Sequence, residues 1–268
     1  MRLAGLFFLL GTLEAFAGPI QLIVLTGQSN SLGTTADPAE KNPGPGWQPE
    51  DEKVRLFWSN CSSQGRGKVC AVIDDSGGTF KTLQSQQGEG KNRVFWGPEM
   101  ALGRELVVSG KTDFVIVKAS RGGGGNSHWL PDGSMYRHIL DTVHTAVRVL
   151  EGEEHDVLVS HLLYIQGESD SAVEAAVAGE RIAALLDNLR RDLPRAGRMD
   201  LIIGGIAARG RYRDQVRAQQ AAIANKREDI IYIDNLDLRG HLYDGLHFDK
   251  AAKVEIGRRF ARILIDGE

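Results

Sequence analysis

From Pro98 to the carboxyl terminus, short β-branched runs alternate with stretches of helical periodicity, and this alternation limits the fold more than any other feature. A helix is expected near Pro98 to Val108, followed by the strand Phe114-Val115-Ile116-Val117. Ile139, Val143, Val147 and Leu150 recur at helical spacing, Val157 to Ile165 reads as a strand, and Ile182, Leu185, Leu186, Leu189 and Leu193 form another helical stripe. Leu201-Ile202-Ile203 and Ile230-Ile231-Tyr232-Ile233 are further strands. Ile256, Phe260, Ile263 and Leu264 mark a closing helix with Asp249 as its N-cap. Upstream, Ile20 to Leu25 is one more strand candidate. Strands separated by helices require right-handed crossovers, so the expected fold is α/β: a roughly five-stranded parallel sheet with helices on both faces.

Between Asp37 and Gly97 the chain is rich in Gly, Pro, Gln, Lys and Asn and reads as long loops around one strand, Val54 to Trp58. There is no internal repeat and no domain boundary. The 268 residues carry a net charge of −3, which leaves no basic excess for nucleic acid or anionic membrane surfaces.

Met1-Arg2 precedes an apolar run through Leu10 and then Ala15-Phe16-Ala17, a small-x-small pattern. Residues 1–17 therefore read as a secretory signal, with a first core strand as the alternative, and 18–268 as the mature domain. The run falls short of the roughly 20 residues that span a bilayer, so no stable membrane anchor is expected. The resulting location is secreted or periplasmic. There Cys61 and Cys70 are either a short-range disulfide or two free thiols, and no histidine stands beside them at zinc-ligand spacing.

Ligands of open α/β sheets bind beyond the carboxyl ends of the strands. Gly27-Gln28-Ser29-Asn30, Ser120 to Trp129, Gln166-Gly167-Glu168-Ser169-Asp170 and Asp244-Gly245-Leu246-His247 all fall at such positions. Ser29 is a candidate nucleophile, against the alternative of a capping hydroxyl. His247 supplies the imidazole base that a serine needs, and Asp244, three residues earlier, can reach its other ring nitrogen. Backbone amides of Gly122 to Gly125 can face an oxyanion, with a flexible loop as the alternative. The Gln166 side-chain amide is a further donor. Glu168 and Asp170 form an alternative glycosidase pair, but Asp170 is favoured as a helix N-cap and Glu168 as a buried hydrogen-bonding group. Neither the dinucleotide fingerprint nor the phosphate-binding loop is satisfied, the latter because Glu105 stands at its required glycine.

In this order, Gly27-Gln28-Ser29-Asn30 with Gly33, Gly97-Pro98-Glu99, Gln166 to Asp170, and Asp244 to His247 resemble the SGNH hydrolase superfamily. The resemblance is to its sialate O-acetylesterase and carbohydrate esterase family 6 (acetylxylan esterase-like) branch, and it spans nearly all of the mature chain. It implies a three-layer αβα, flavodoxin-like fold and cofactor-free, metal-independent removal of O-acetyl groups from carbohydrates through an acetyl-serine intermediate. The partner would be an acetylated sugar or polysaccharide. Ser29 would be nucleophile, His247 general base and then acid, and Asp244 its orienting carboxylate. The Ser29 N–H, Gly123 (with Gly122 as the near alternative) and Gln166 would form the oxyanion hole, with Gln28, Asn30, Gly122 and Glu168 in support. Three positions depart from the family pattern: Ser31 replaces a methionine, Tyr164 a tryptophan, and Gly124 the hydroxyl residue of the glycine block. Trp47, Trp96 and Trp129 are candidates to stack on a sugar ring, with buried packing as the alternative. Two rival functions are a non-catalytic carbohydrate-binding protein of the same fold and a glycosidase or phosphodiesterase using the same cleft.

Overall fold

The structure is a computed structural model that describes residues 18–33, 44–63, 69–87 and 94–267; the segment 1–17 read as a secretory signal lies outside them, as does part of the 37–97 region. The strands are β1 (Ile20–Gly27), β2 (Arg55–Cys61), β3 (Val72–Asp75), β4 (Lys81–Thr82), β5 (Gln86–Gln87), β6 (Val94–Phe95), β7 (Phe114–Ser120), β8 (Val157–Ile165), β9 (Asp200–Gly204) and β10 (Ile230–Ile233). The helices are α1 (Ser29–Leu32), α2 (Glu99–Val108), α3 (Ser134–Gly152), α4 (Ala172–Ala176), α5 (Ala178–Asp192), α6 (Arg211–Ala224) and α7 (Lys250–Asp266).

The main sheet runs β10-β9-β8-β1-β7-β2-β3, with β4 also on β2. From β10 to β2 every pairing is parallel, whereas β3 and β4 lie antiparallel to β2. The sheet is thus wider than the roughly five strands expected from the alternating pattern. The added width comes from the 37–97 region, where β2 docks on β7 and carries β3 and β4, while β5 and β6 pair apart from the main sheet. Within β2, Phe57 faces one core while Leu56 and Trp58 face the other, the period of two that a strand covered on both faces requires.

Alternating residues of β1 divide the same way: Leu22 and Val24 pack against α3 and α5, Ile23 and Leu25 against α2 and α7. The α3 stripe of Ile139, Val143, Val147 and Leu150 is fully sequestered, as its spacing requires. At about 25 cal/mol per Å² of apolar surface, each such side chain contributes on the order of 2 kcal/mol to the three-layer packing. Asp249 caps α7, accepting from the Ala252 N–H at 2.9 Å. Asp170 does not cap the helix after it. Ser171 takes that place in a capping box with Glu174, which leaves the Asp170 carboxylate for other donors.

Register places Gly27 beside both Ser120 and Ile165, so the carboxyl ends of β1, β7 and β8 are level. After β1 the chain crosses to one side of it for β2 and β7, then to the other for β8 to β10, making this the crevice where the strand order reverses. Gly27 is needed there: its φ is 140°, and a Cβ would lie 2.0 Å from the Ile165 carbonyl oxygen.

Candidate active site

Strand β1 ends directly in the short helix α1, and the turn between them presents Ser29 at the rim. Gly33 closes α1 with φ 80°, a conformation that a residue with a side chain rarely adopts. The Ser29 hydroxyl is 2.9 Å from His247 Nε2, although 218 positions separate them in the chain. His247 Nδ1 is 2.6 Å from Asp244 Oδ2. The other oxygen of Asp244 accepts from the backbone N–H groups of Leu246 (2.9 Å) and His247 (2.7 Å). Partial burial pushes the Asp244 carboxyl up, but hydrogen bonds from the His247 ring and these two amides outweigh it, and the net effect is below the usual value. Asp244 is therefore an anion positioned to fix the tautomer of the imidazole and to stabilise its protonated form.

Asn30 ties the histidine loop to the sheet. Its Nδ2 donates to Glu168 Oε1 at 2.6 Å and to the Leu246 carbonyl at 3.2 Å, while its Oδ1 accepts from the Phe248 N–H at 3.0 Å. Glu168 is buried, and loss of hydration raises its pKa despite the Asn30 bond. Gln28 joins the ends of β1 and β8, donating to Ser169 Oγ at 3.3 Å and accepting from the Gly167 N–H at 3.4 Å.

The glycine loop after β7 offers its amides unequally. Gly122 N–H is engaged by the Cys61 carbonyl at 3.1 Å, whereas Gly123, at φ 56°, donates to no backbone acceptor among the described residues. Gln166 is held at both ends of its amide. Tyr164 O–H donates to Oε1 at 3.0 Å, and Nε2 donates to Asp170 Oδ1 at 2.6 Å and the Gly124 carbonyl at 3.3 Å. The tyrosine found where the family carries tryptophan thus orients the glutamine directly. Asp170 also accepts from the Asn126 N–H (2.9 Å) and Nδ2 (2.8 Å). Burial raises Asp170, these donors pull it back, and the balance is a pKa of about 6. Neither Glu168 nor Asp170 stands as a free carboxylate in the crevice.

Sequence reading missed the support beneath α1. Lys118 of β7 is fully buried and donates to Glu99 Oε1 (2.7 Å), Gln86 Oε1 (2.7 Å) and the Leu32 carbonyl (3.0 Å), so all three of its protons are satisfied. Burial lowers its pKa while Glu99 pulls it back up. This pair explains the Gly97-Pro98-Glu99 block: Glu99 Oε1 also accepts the Gly97 N–H at 2.8 Å. Ser31, the second departure, shares a 2.6 Å bond with Ser120 of β7. Arg121 is buried at the start of the glycine loop, with its guanidinium on the Gly122 carbonyl (3.3 Å) and His128 Nδ1 (2.6 Å).

Cys61 and Cys70 form a disulfide. His138, distant in sequence, comes close to both sulfurs, all ligand atoms lying within 4.8 Å of one another, but sulfurs joined to each other are not thiolate ligands. No helix among the described residues is long and apolar enough to cross a membrane.

Residues 19–266 match the family described as carbohydrate esterase, sialic acid-specific acetylesterase. The chain belongs to this family. Solved structures similar to this acetylesterase-family chain include an Arabidopsis thaliana protein, with a TM-score of 0.65 at 21% identity over 92% of this chain and 98% of that one. A carbohydrate acetylesterase from Xanthomonas citri gives 0.61 at 14% identity, covering 92% of this chain and 57% of that one. NanS gives 0.58 at 15% identity over 93% and 98%. At these identities the likeness establishes the α/β fold with its mostly parallel central sheet. No curated protein matches the sequence.

Proposed function

We propose that this member of the carbohydrate esterase family is a serine esterase that removes O-acetyl groups from carbohydrates through an acetyl-serine intermediate. The observation that carries the reading is the Ser29, His247 and Asp244 chain, with contacts of 2.9 and 2.6 Å. His247 takes the Ser29 proton as the hydroxyl oxygen attacks the acetyl carbonyl, and negative charge collects on the former carbonyl oxygen. Donors for that charge are the Ser29 N–H, the Gly123 N–H and Gln166 Nε2, whose second N–H turns to the oxyanion by giving up its 3.3 Å bond to the Gly124 carbonyl. His247 then protonates the sugar oxygen as its bond to the acetyl carbon breaks, freeing the sugar hydroxyl, and water that gives its proton to the same ring attacks the acetyl-serine and releases acetate. Family membership supports an acetylated sugar as substrate, while the finer placement in the carbohydrate esterase family 6 branch rests on motif order alone.

Export to a secreted or periplasmic location, with residues 1–17 as the signal, is part of this proposal, and the Cys61–Cys70 disulfide supports it. The decisive experiment compares wild type with Ser29→Ala on a small acetyl ester and on acetylated xylan, following acetate and reducing ends together. Loss of about 10⁴- to 10⁶-fold in acetate release is expected for the variant. Equal rates, or chain cleavage without acetate, would reject the esterase.

A further inference from the structure

Of the three tryptophans considered for sugar stacking, Trp96 and Trp129 are 1% and 2% exposed and serve as packing, whereas Trp47 is 67% exposed. Trp47 borders a cavity of about 500 Å³ whose lining also includes Pro45, Gln84, Ser85, Met100 and Lys250. Ser29, Asp244 and His247 do not line it, yet its walls belong to the same framework. Lys250 opens α7 just after the His247 loop. Gly44, also on the wall, sits beside Ser85 and the Trp96 indole, and the Trp96 backbone N–H donates to the Gly33 carbonyl at 3.1 Å, at the end of the helix that carries Ser29.

The cavity is built of groups that are still available. The Gln84 amide, the Ser85 hydroxyl and the Lys250 ammonium make no side-chain hydrogen bond or ion pair among the described residues. Asp51, also on the wall, is committed to Arg104 at 2.7 Å, which leaves Lys250 as the free charge. An exposed indole offers a flat apolar face, and amide, hydroxyl and ammonium groups around it can donate to or accept from hydroxyls fixed on a ring. A volume of this size holds a single sugar unit.

We propose that this cavity is a subsite for a pyranose ring of a glycan chain, next to the residue whose acetyl group is removed. The ring stacks on Trp47 while Gln84, Ser85 and Lys250 bond to its hydroxyls. The assignment rests on the esterase reading for its role, but its binding chemistry stands separately. It makes the substrate an acetylated oligosaccharide or polysaccharide rather than a lone sugar.

The test titrates xylohexaose and tetragalacturonate, neither acetylated, into the Ser29→Ala protein while following intrinsic fluorescence. Trp47 is the one strongly exposed indole of four, so a ligand at this site registers on it. A saturable change with at least one glycan, absent when Trp47→Ala is added, is expected. In the otherwise native enzyme, Trp47→Ala should raise KM on acetylated xylan about five- to tenfold and leave kcat/KM on a small acetyl ester unaltered. No change with either glycan, or a change that survives Trp47→Ala, overturns the subsite. Absence of any acetate release by wild type, with binding intact, removes the esterase and leaves the glycan site standing.

Discussion

Asn30 and Glu168 meet at 2.6 Å beneath the rim that carries Ser29, and the same Asn30 side chain holds the Leu246 carbonyl and the Phe248 N–H on either side of His247. Asn30, the neighbour of the proposed nucleophile, therefore fixes the position of the proposed base. Asn30→Ala leaves a buried carboxylate oxygen and a backbone N–H without partners, at about 1–3 kcal/mol each. Its kcat on a small acetyl ester should fall by about 10²-fold, the scale expected for misplacing a catalytic group by about 1 Å, with KM little changed. Steady-state kinetics beside a urea titration separates the two effects. Glu168→Gln keeps an acceptor for Asn30 and should retain most of the activity.

Tyr164 and Gln166 give a graded prediction. Gln166→Ala removes a proposed oxyanion donor and should lower kcat by about 10²- to 10³-fold. Tyr164→Phe keeps the donor and loses only the 3.0 Å bond that aims it, so a drop of about tenfold is expected, the equivalent of one ordinary hydrogen bond. Equal losses in the two variants would mean that the tyrosine acts on more than the orientation of Gln166.

Asp170 predicts a stability slope with pH. Its folded pKa of about 6 lies above the ordinary carboxylate value, so between about pH 4 and 6 the folded protein binds more protons than the unfolded chain. Stability from this group is thus highest at acid pH, declines as pH rises through about 6, and is flat beyond. The Tm of wild type minus that of Asp170→Asn should fall from pH 4 to pH 7, as only the wild type loses stability from this group, and then stay constant. A difference independent of pH would show that the carboxyl titrates normally.

The Lys118–Glu99 pair is fully buried, and removing one partner strands the other charge away from water. Lys118→Met should cost about 3–5 kcal/mol, whereas Lys118→Met combined with Glu99→Leu should regain most of that loss. Midpoints of urea unfolding with unchanged m-values would check the comparison.

What could be read in advance depended on whether partners were local. Asp244 and His247 are three residues apart in one turn, and Ser29 follows a strand, so each announced itself within a few positions. Both cores followed from periodicity, as in the α3 stripe. Lys118 did not, because one lysine in an apolar strand gives no sign of a glutamate on α2 that neutralises it. Helix α6 buries only Val216, Arg217 and Gln220, too little apolar surface to leave a periodic trace. Asp170 and Ser171 are adjacent and both are good capping residues, and only the placement of Asn126 and Gln166 decides that the serine caps. The three tryptophans look alike in sequence and differ only in what covers them.

The cystine at the end of β2 has a practical consequence. Cys61 is bonded through sulfur to Cys70 and through its carbonyl to Gly122, so one residue anchors both the chain leading into β3 and the glycine segment of the rim. A recombinant host with a reducing interior would deliver protein in which that anchor is cut on one side. Preparations folded with and without an oxidant should therefore be compared before any turnover number is taken as native.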